Sequence, residues 1–228
     1  VIVQNTGRFI DTTSPTAKYL VDTTQGTVGF AEGSSTVENI NPADDTAADY
    51  NNVIISGAVK LAGNIKTKGS FTVSQALDGN SKVLNIGTKL TTTATITDVT
   101  TLSVNGDASI GADITTSGSQ KYQGKVTLTQ DVTLKAKNNI TFEDNATITG
   151  ASYNLTLDND STHQADYDLN KDVTVKSLTA NIATGKKLSI PSPVVITAKD
   201  GFIVNGAGTV NLGTESQTAD TKIITEKK

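Results

Sequence analysis

The sequence predicts an all-β protein built as a right-handed parallel β-helix, a solenoid of short strands. Three observations predict it. A phrase of apolar residue, threonine, apolar residue recurs through Gly124–Gly150, GKVTLTQDVTLKAKNNITFEDNATITG. Comparable triplets recur at about eighteen residues, from Leu84 to Leu102, from Leu155 to Val173 and more loosely from Val173 to Val194. The composition is 36% apolar and only 4% aromatic, with threonine the commonest residue, which suits a thin repeated core with a watered outer face.

Each phrase reads as a strand because alternate residues of extended chain point to opposite faces, so Val126 and Leu128 face one way and Thr127 the other. The separators, Gln130-Asp131, Lys137-Asn138-Asn139 and Glu143-Asp144-Asn145, are polar and turn-prone. A strand of three residues buries little alone and needs a partner on both sides. Three such strands in a coil of roughly 18 to 22 residues make one rung of a β-helix, in which like strands pair one rung apart. The right hand follows from the general preference of parallel connections. The alternative fold is a β-sandwich, but its strands are longer and its corners need more room than VTLTQDVTL provides.

In chain order, residues 1–52 read as a β-rich cap or assembly segment with an acidic loop, ENINPADDTAADYNN at 38–52. Residues 53–213 read as the β-helix, about eight coils and, at the spacing between paired strands, a rod on the order of 40 Å long. Residues 214–228 read as a polar tail relieved only by Ile223-Ile224. The apolar opening Val1, Ile2 and Val3, with Phe9 and Ile10 behind it, is the candidate assembly element. It either caps its own first coil or adds a strand to a neighbouring subunit, giving a homo-oligomer or polymer by strand addition.

Composition also excludes functions. With no cysteine there is no disulfide, thiolate nucleophile or thiolate-bound metal. The absence of methionine, even at position 1, suggests a processed or excised piece of a longer product. No apolar run is long enough for a transmembrane helix, and a net charge of −4 with scattered lysines offers no stripe for nucleic acid.

The run Ala112–Ala136, ADITTSGSQKYQGKVTLTQDVTLKA, with NITF at 139–142 and NLTLDN at 154–159, resembles the β-solenoid repeats of large secreted bacterial surface proteins, the filamentous haemagglutinin-like exoproteins and autotransporter passengers. The resemblance covers about residues 84–213. It implies a right-handed parallel β-helix, export, an extracellular or cell-surface location, and a role in adhesion or matrix-building. The first fifty residues depart from that pattern and carry no secretion-domain signature.

Reactive constellations are sparse. Asp158, Asp160, Asp166 and Asp168 cluster around the single histidine, His163, in LDNDSTHQADYDLN. Their hard oxygens make them the candidate ligands for Ca²⁺, although they match neither the EF-hand nor the nonapeptide calcium roll. Paired carboxylates can also hydrolyse glycosides, but aspartate is common in turns for backbone reasons, and the expectation is no catalysis. Asn139, Asn145, Asn154 and Asn159 each open a glycosylation acceptor triplet. Tyr122, Tyr153 and Tyr167, aligned across adjacent coils, are the candidate ligand face for a glycan or surface protein. The functional expectation is a non-catalytic structural segment of an extracellular filament, sheath or surface layer; the alternative is an adhesin segment that binds a glycan or host protein through one face of the rod.

Overall fold

Alternation of inward apolar and outward polar residues closes the chain into a three-faced coil. The structure, a computed structural model, describes residues 51–61, 63–213 and 221–225, together with the backbone of strands Ile2–Val3, Thr27–Phe30, Thr36–Val37 and Asp49–Tyr50. Among the described residues there is no helix, every strand pair is parallel, and the strands stack as a β-solenoid of about eight turns. The β-sandwich alternative is thereby removed, because a sandwich pairs its strands antiparallel.

The first face carries Asn52–Ile55, Ser70–Val73, Lys89–Thr92, Asp107–Ile110 and Val126–Leu128, each paired with the next, and continues through Ile148–Asp158, Val173–Ile182, Val195–Gly206 and Lys222–Ile224. The second and third faces are often one strand bent around a corner. Ile114–Tyr122 pairs with Val132–Ala136 at its start and with Asn139–Phe142 at its end. Coil length is not constant. Hydrogen bonds one coil apart span 18 residues at Ser70–Asn52 and 23 at Asn154–Asp131.

The described strands before residue 51 join the same ladders. Thr27–Phe30 pairs with Asn52–Ile55, Thr36–Val37 with Lys60–Leu61 and Asp49–Tyr50 with Lys66–Thr67. Ile2 and Val3, two of the candidate assembly residues, pair with Gly29 and Phe30 of their own chain. Val1, Phe9 and Ile10 lie outside the described residues. In the tail, Ile223 and Ile224 pair with Ile196 and Thr197.

Interior positions stack like on like along the axis. One column runs Val59, Leu77, Ile96, Ile114, Leu134, Leu157, Ala180, and another runs through Tyr122, Phe142 and Leu169; all are buried. Burying each aliphatic side chain contributes about 1.5–3 kcal/mol, so the columns are the main source of stability. Outward, the first face carries a ladder of hydroxyls, Thr72, Thr91, Ser109, Thr127, Thr149, Thr174 and Thr197, on successive coils. At one corner the coils approach so closely that a Cβ on Gly106 would run into the Thr88 carbonyl of the coil before it.

A single polar side chain interrupts the third-face column of Leu84, Leu102 and Ile140. Gln120 is fully buried there; its Nε2 donates to the carbonyls of Ile114 (3.1 Å) and Lys135 (2.7 Å), and its Oε1 accepts from the Tyr122 hydroxyl (2.9 Å). This amide ties the backbone of two neighbouring coils to the buried Tyr122 hydroxyl. Gln120→Leu, apolar like its column neighbours, should therefore destabilise the protein by about 1–3 kcal/mol in thermal or urea unfolding, because it orphans the buried Tyr122 hydroxyl. Adding Tyr122→Phe removes one orphan and should regain part of the loss; a Gln120→Leu variant as stable as wild type would contradict the assignment.

Candidate functional site

Among the described residues, the densest group of charged side chains forms on the outer side of the second face, where strand parity sends Lys135 outward between the buried Leu134 and Ala136. Lys135 pairs in register with Asp158 on the next coil, and its Nζ lies 2.9 Å from Asp158 Oδ2. The same column continues upward: Asn181 Nδ2 donates to Asp158 Oδ1 (2.6 Å), and Asn205 Nδ2 donates to Asn181 Oδ1 (3.0 Å). Four successive coils are thus tied on the outside by one polar chain.

Beside this chain the corner between the second and third faces swells into a loop, Asn159 to Ala165. The loop closes on itself. Asn159 bridges its two ends, accepting from the Ala165 N–H (2.7 Å) and donating to the Ala165 carbonyl (3.3 Å). Asp160 Oδ1 accepts from the N–H of Thr162, the hydroxyl of Thr162 and the N–H of His163, each at 2.8 Å. His163 Nδ1 sits 3.1 Å from Asp160 Oδ1, and Lys135 Nζ sits 3.5 Å from Asp160 Oδ2.

The electrostatics follow from these contacts. Hydrogen bonds from Thr162, first its backbone and then its hydroxyl, and from the His163 backbone hold the Asp160 carboxyl well below the usual carboxylate range. The Lys135 ammonium is pushed up, chiefly by its hydrogen bond to Asp158. A carboxylate so stabilised is a poor proton acceptor, and an ammonium so stabilised is a poor donor. The arrangement therefore fixes charge in place and ties coils together. Next to it lies a shallow hollow of about 240 Å³, lined by Asn159, Asp160, Asn181, Ile182, Ala183, Asn205 and Gly206.

The four candidate calcium ligands divide into two pairs, Asp158 and Asp160 beside Lys135 and Asp166 and Asp168 on the third face. Asp158 is committed to Lys135 and Asn181, and Asp160 to its loop and to Lys135. Asp166 and Asp168 lie on the third face, where Asp166 Oδ1 accepts from the Lys187 N–H (2.8 Å) and Asp168 Oδ2 from the Thr141 hydroxyl (3.3 Å). Among the described residues no three His, Cys, Asp or Glu side chains come together as a group able to hold a metal ion.

The tyrosine face requires correction. Tyr122 and Tyr167 are fully buried and face the interior; Tyr122 stacks on Phe142 with ring centroids 5.1 Å apart, and the Tyr167 hydroxyl donates to the Asn181 carbonyl (3.1 Å). Burial pushes both phenols up. Tyr153 is half-buried against the core. The reason is parity: Tyr122 follows Gln120 by two residues and Tyr167 precedes Leu169 by two, so each shares the inward side.

Of the four glycosylation candidates, three amides are occupied within the fold. Asn139 donates to Thr141 Oγ1 and accepts from Ser119, Asn154 donates to Asp131, and Asn159 staples the loop. Asn145 is exposed in a turn. No helix among the described residues is long and apolar enough to cross a membrane.

Because the Asp160 carboxyl is held low in the folded state, its contribution is present above the unfolded aspartate value of about 3.9 and is lost as pH falls through the folded value. In an NMR acid titration the Thr162 and His163 amide shifts should move together with a midpoint below that of free aspartate, and Asp160→Asn should abolish the movement. A midpoint at or above the free value would contradict the loop geometry.

Comparison with protein-family models, with curated proteins and with solved structures finds no match to this chain.

Proposed function

We propose that this chain is a non-catalytic structural segment of an extracellular filament, sheath or surface layer. The observation that carries the reading is the uninterrupted stack: three parallel faces run from coil to coil over a filled interior, and the charged cluster around Lys135 ties coils together. A solenoid of this kind contacts itself only through neighbouring coils, so it transmits load along one axis and extends by adding coils. Placement at the cell surface, and kinship with filamentous haemagglutinin-like exoproteins or autotransporter passengers, rest on the sequence phrases in Ala112–Ala136, 139–142 and 154–159. Adhesive recognition loses its main support, since two of the three tyrosines of the candidate face are interior.

Negative-stain imaging of the purified protein across a concentration series tests the reading. Ordered fibres or sheets are the expected result. Isolated short rods at every concentration, combined with saturable binding to one member of a glycan or matrix-protein panel, would replace it with the adhesin.

A further inference from the structure

Asn139, Asn145, Asn154 and Asn159 each open an Asn-x-Thr or Asn-x-Ser triplet, and the fold sets one of them apart. Asn139 sits in a third-face strand, where its Nδ2 donates to Thr141 Oγ1 (2.9 Å) and its Oδ1 accepts from the Ser119 hydroxyl. Asn154 ties three coils, donating to Asp131 Oδ2 (2.8 Å) and accepting from the Ser177 hydroxyl (2.7 Å). Asn159 staples the loop it begins, its Oδ1 accepting from the Ala165 N–H (2.7 Å) and its Nδ2 donating to the Ala165 carbonyl (3.3 Å). A bulky substituent on any of these three nitrogens crowds the partner it donates to. Asn145 holds nothing in place: it is exposed, and among the described residues its amide makes no hydrogen bond.

Its setting follows from coil length. From the third face to the first, the chain passes from Tyr122 to Val126 through residues 123–125, but from their register partners Phe142 to Ile148 through residues 143–147. The added residues are carried outward. Glu143 stays tied to the preceding coil, its N–H donating to the Tyr122 carbonyl (2.9 Å) and its carboxylate lying 2.8 Å from Lys121 Nζ. Ala146 is fully buried, and its N–H donates to the Glu143 carbonyl (2.8 Å). Asp144 and Asn145 are left exposed at the crest. Thr147 closes the turn with its N–H on the Asn145 carbonyl (3.0 Å), and Ile148 resumes the core. The acceptor asparagine and the threonine two residues on therefore lie outside the strand ladders, on a turn that buried Ala146 and Ile148 anchor.

We propose that Asn145 is an N-glycan attachment site, the one of the four triplets that the folded chain accommodates. The step is a group transfer from a sugar activated at C1 as a phosphate ester. Asn145 Nδ2 attacks C1, the N–C1 bond forms, and the C1–O bond to phosphate breaks with its electron pair leaving on the phosphate ester; the amide proton passes to a base of the transferase. The Thr147 hydroxyl is the second element recognised, because the acceptor triplet is read at its third position. An attached glycan is bulky and hydrated. On this crest it adds solvation without displacing a core column or a ladder bond. The inference rests on the extracellular placement proposed above and adds a modification to it.

Site-resolved peptide mapping by mass spectrometry tests it, on protein recovered from the surface fraction of the cells that make it. Sugar mass should appear on the peptide that carries Asn145 and be absent from those that carry Asn139, Asn154 and Asn159. Single added hexoses would support the site with a nucleotide-activated donor, and a whole oligosaccharide would support it with a lipid-linked donor. Asn145→Gln and Thr147→Val should each abolish the added mass while the far-ultraviolet circular dichroism spectrum stays that of wild type. If Thr147→Val does not fold, Asn145→Gln alone is read, since that side chain bonds to nothing in the fold. A bare Asn145 in surface-recovered protein, or sugar on any of the other three, would overturn the site while leaving the extracellular placement standing. Protein confined to the cell interior with all four asparagines bare would overturn both.

Discussion

The structure depends on one constraint: a strand of three to five residues cannot bury its own backbone, so each must hydrogen-bond to an equivalent strand on the coil before and the coil after. Parallel pairing in register then forces inward side chains into columns, and the columns supply the apolar burial that a chain with little aromatic content could not gather in one broad core. Size matching follows. Where one coil carries a large interior residue, its neighbours accommodate it, as when Tyr122 stacks on Phe142 in one column while the small Ala136 and Ala180 fill others.

The later coils obey the same constraint with longer corners. Extra residues are placed outside the ladder, in the turn around Asn145 and in the loop from Asn159 to Ala165, so the strands keep their pairing while the connections lengthen. The loop needs its own support because it lacks ladder partners, and Asp160 provides it by accepting from the Thr162 and His163 backbone. Lys135 then joins that loop to the outer polar chain through Asp158 and Asp160. Charge here replaces the backbone pairing that the corner gives up, so among the described residues the densest ionic cluster coincides with the longest detour.

Much of the fold was legible in the sequence because the phrase and the fold share a period. The VTL and ITF triplets are strands, and Leu84 does pair with Leu102. The register failed where the corners lengthened: Leu155 pairs with Leu178 rather than Val173, and Val173 with Ile196 rather than Val194, since the eighteen-residue spacing of the earlier coils no longer holds. Tyr122 and Tyr167 were misread for a different reason. Their side was decided by alternation with Gln120 and Leu169, a local signal that places them inside rather than on the candidate ligand face. Lys135 was missed as a partner of Asp158 because only the correct register brings them together; the signal was its outward parity two residues after Thr133.

Register is the central claim, and the absence of cysteine in this chain makes it directly measurable by introduced pairs. Thr156 and Thr179 are outward-facing register partners, whereas Thr174, eighteen residues after Thr156, pairs with Thr149. Under mild oxidation, Thr156→Cys with Thr179→Cys should crosslink within the monomer, and Thr156→Cys with Thr174→Cys should not. Efficient crosslinking of the second pair in place of the first would contradict the coil assignment from which the core columns and the charged ladder are both read.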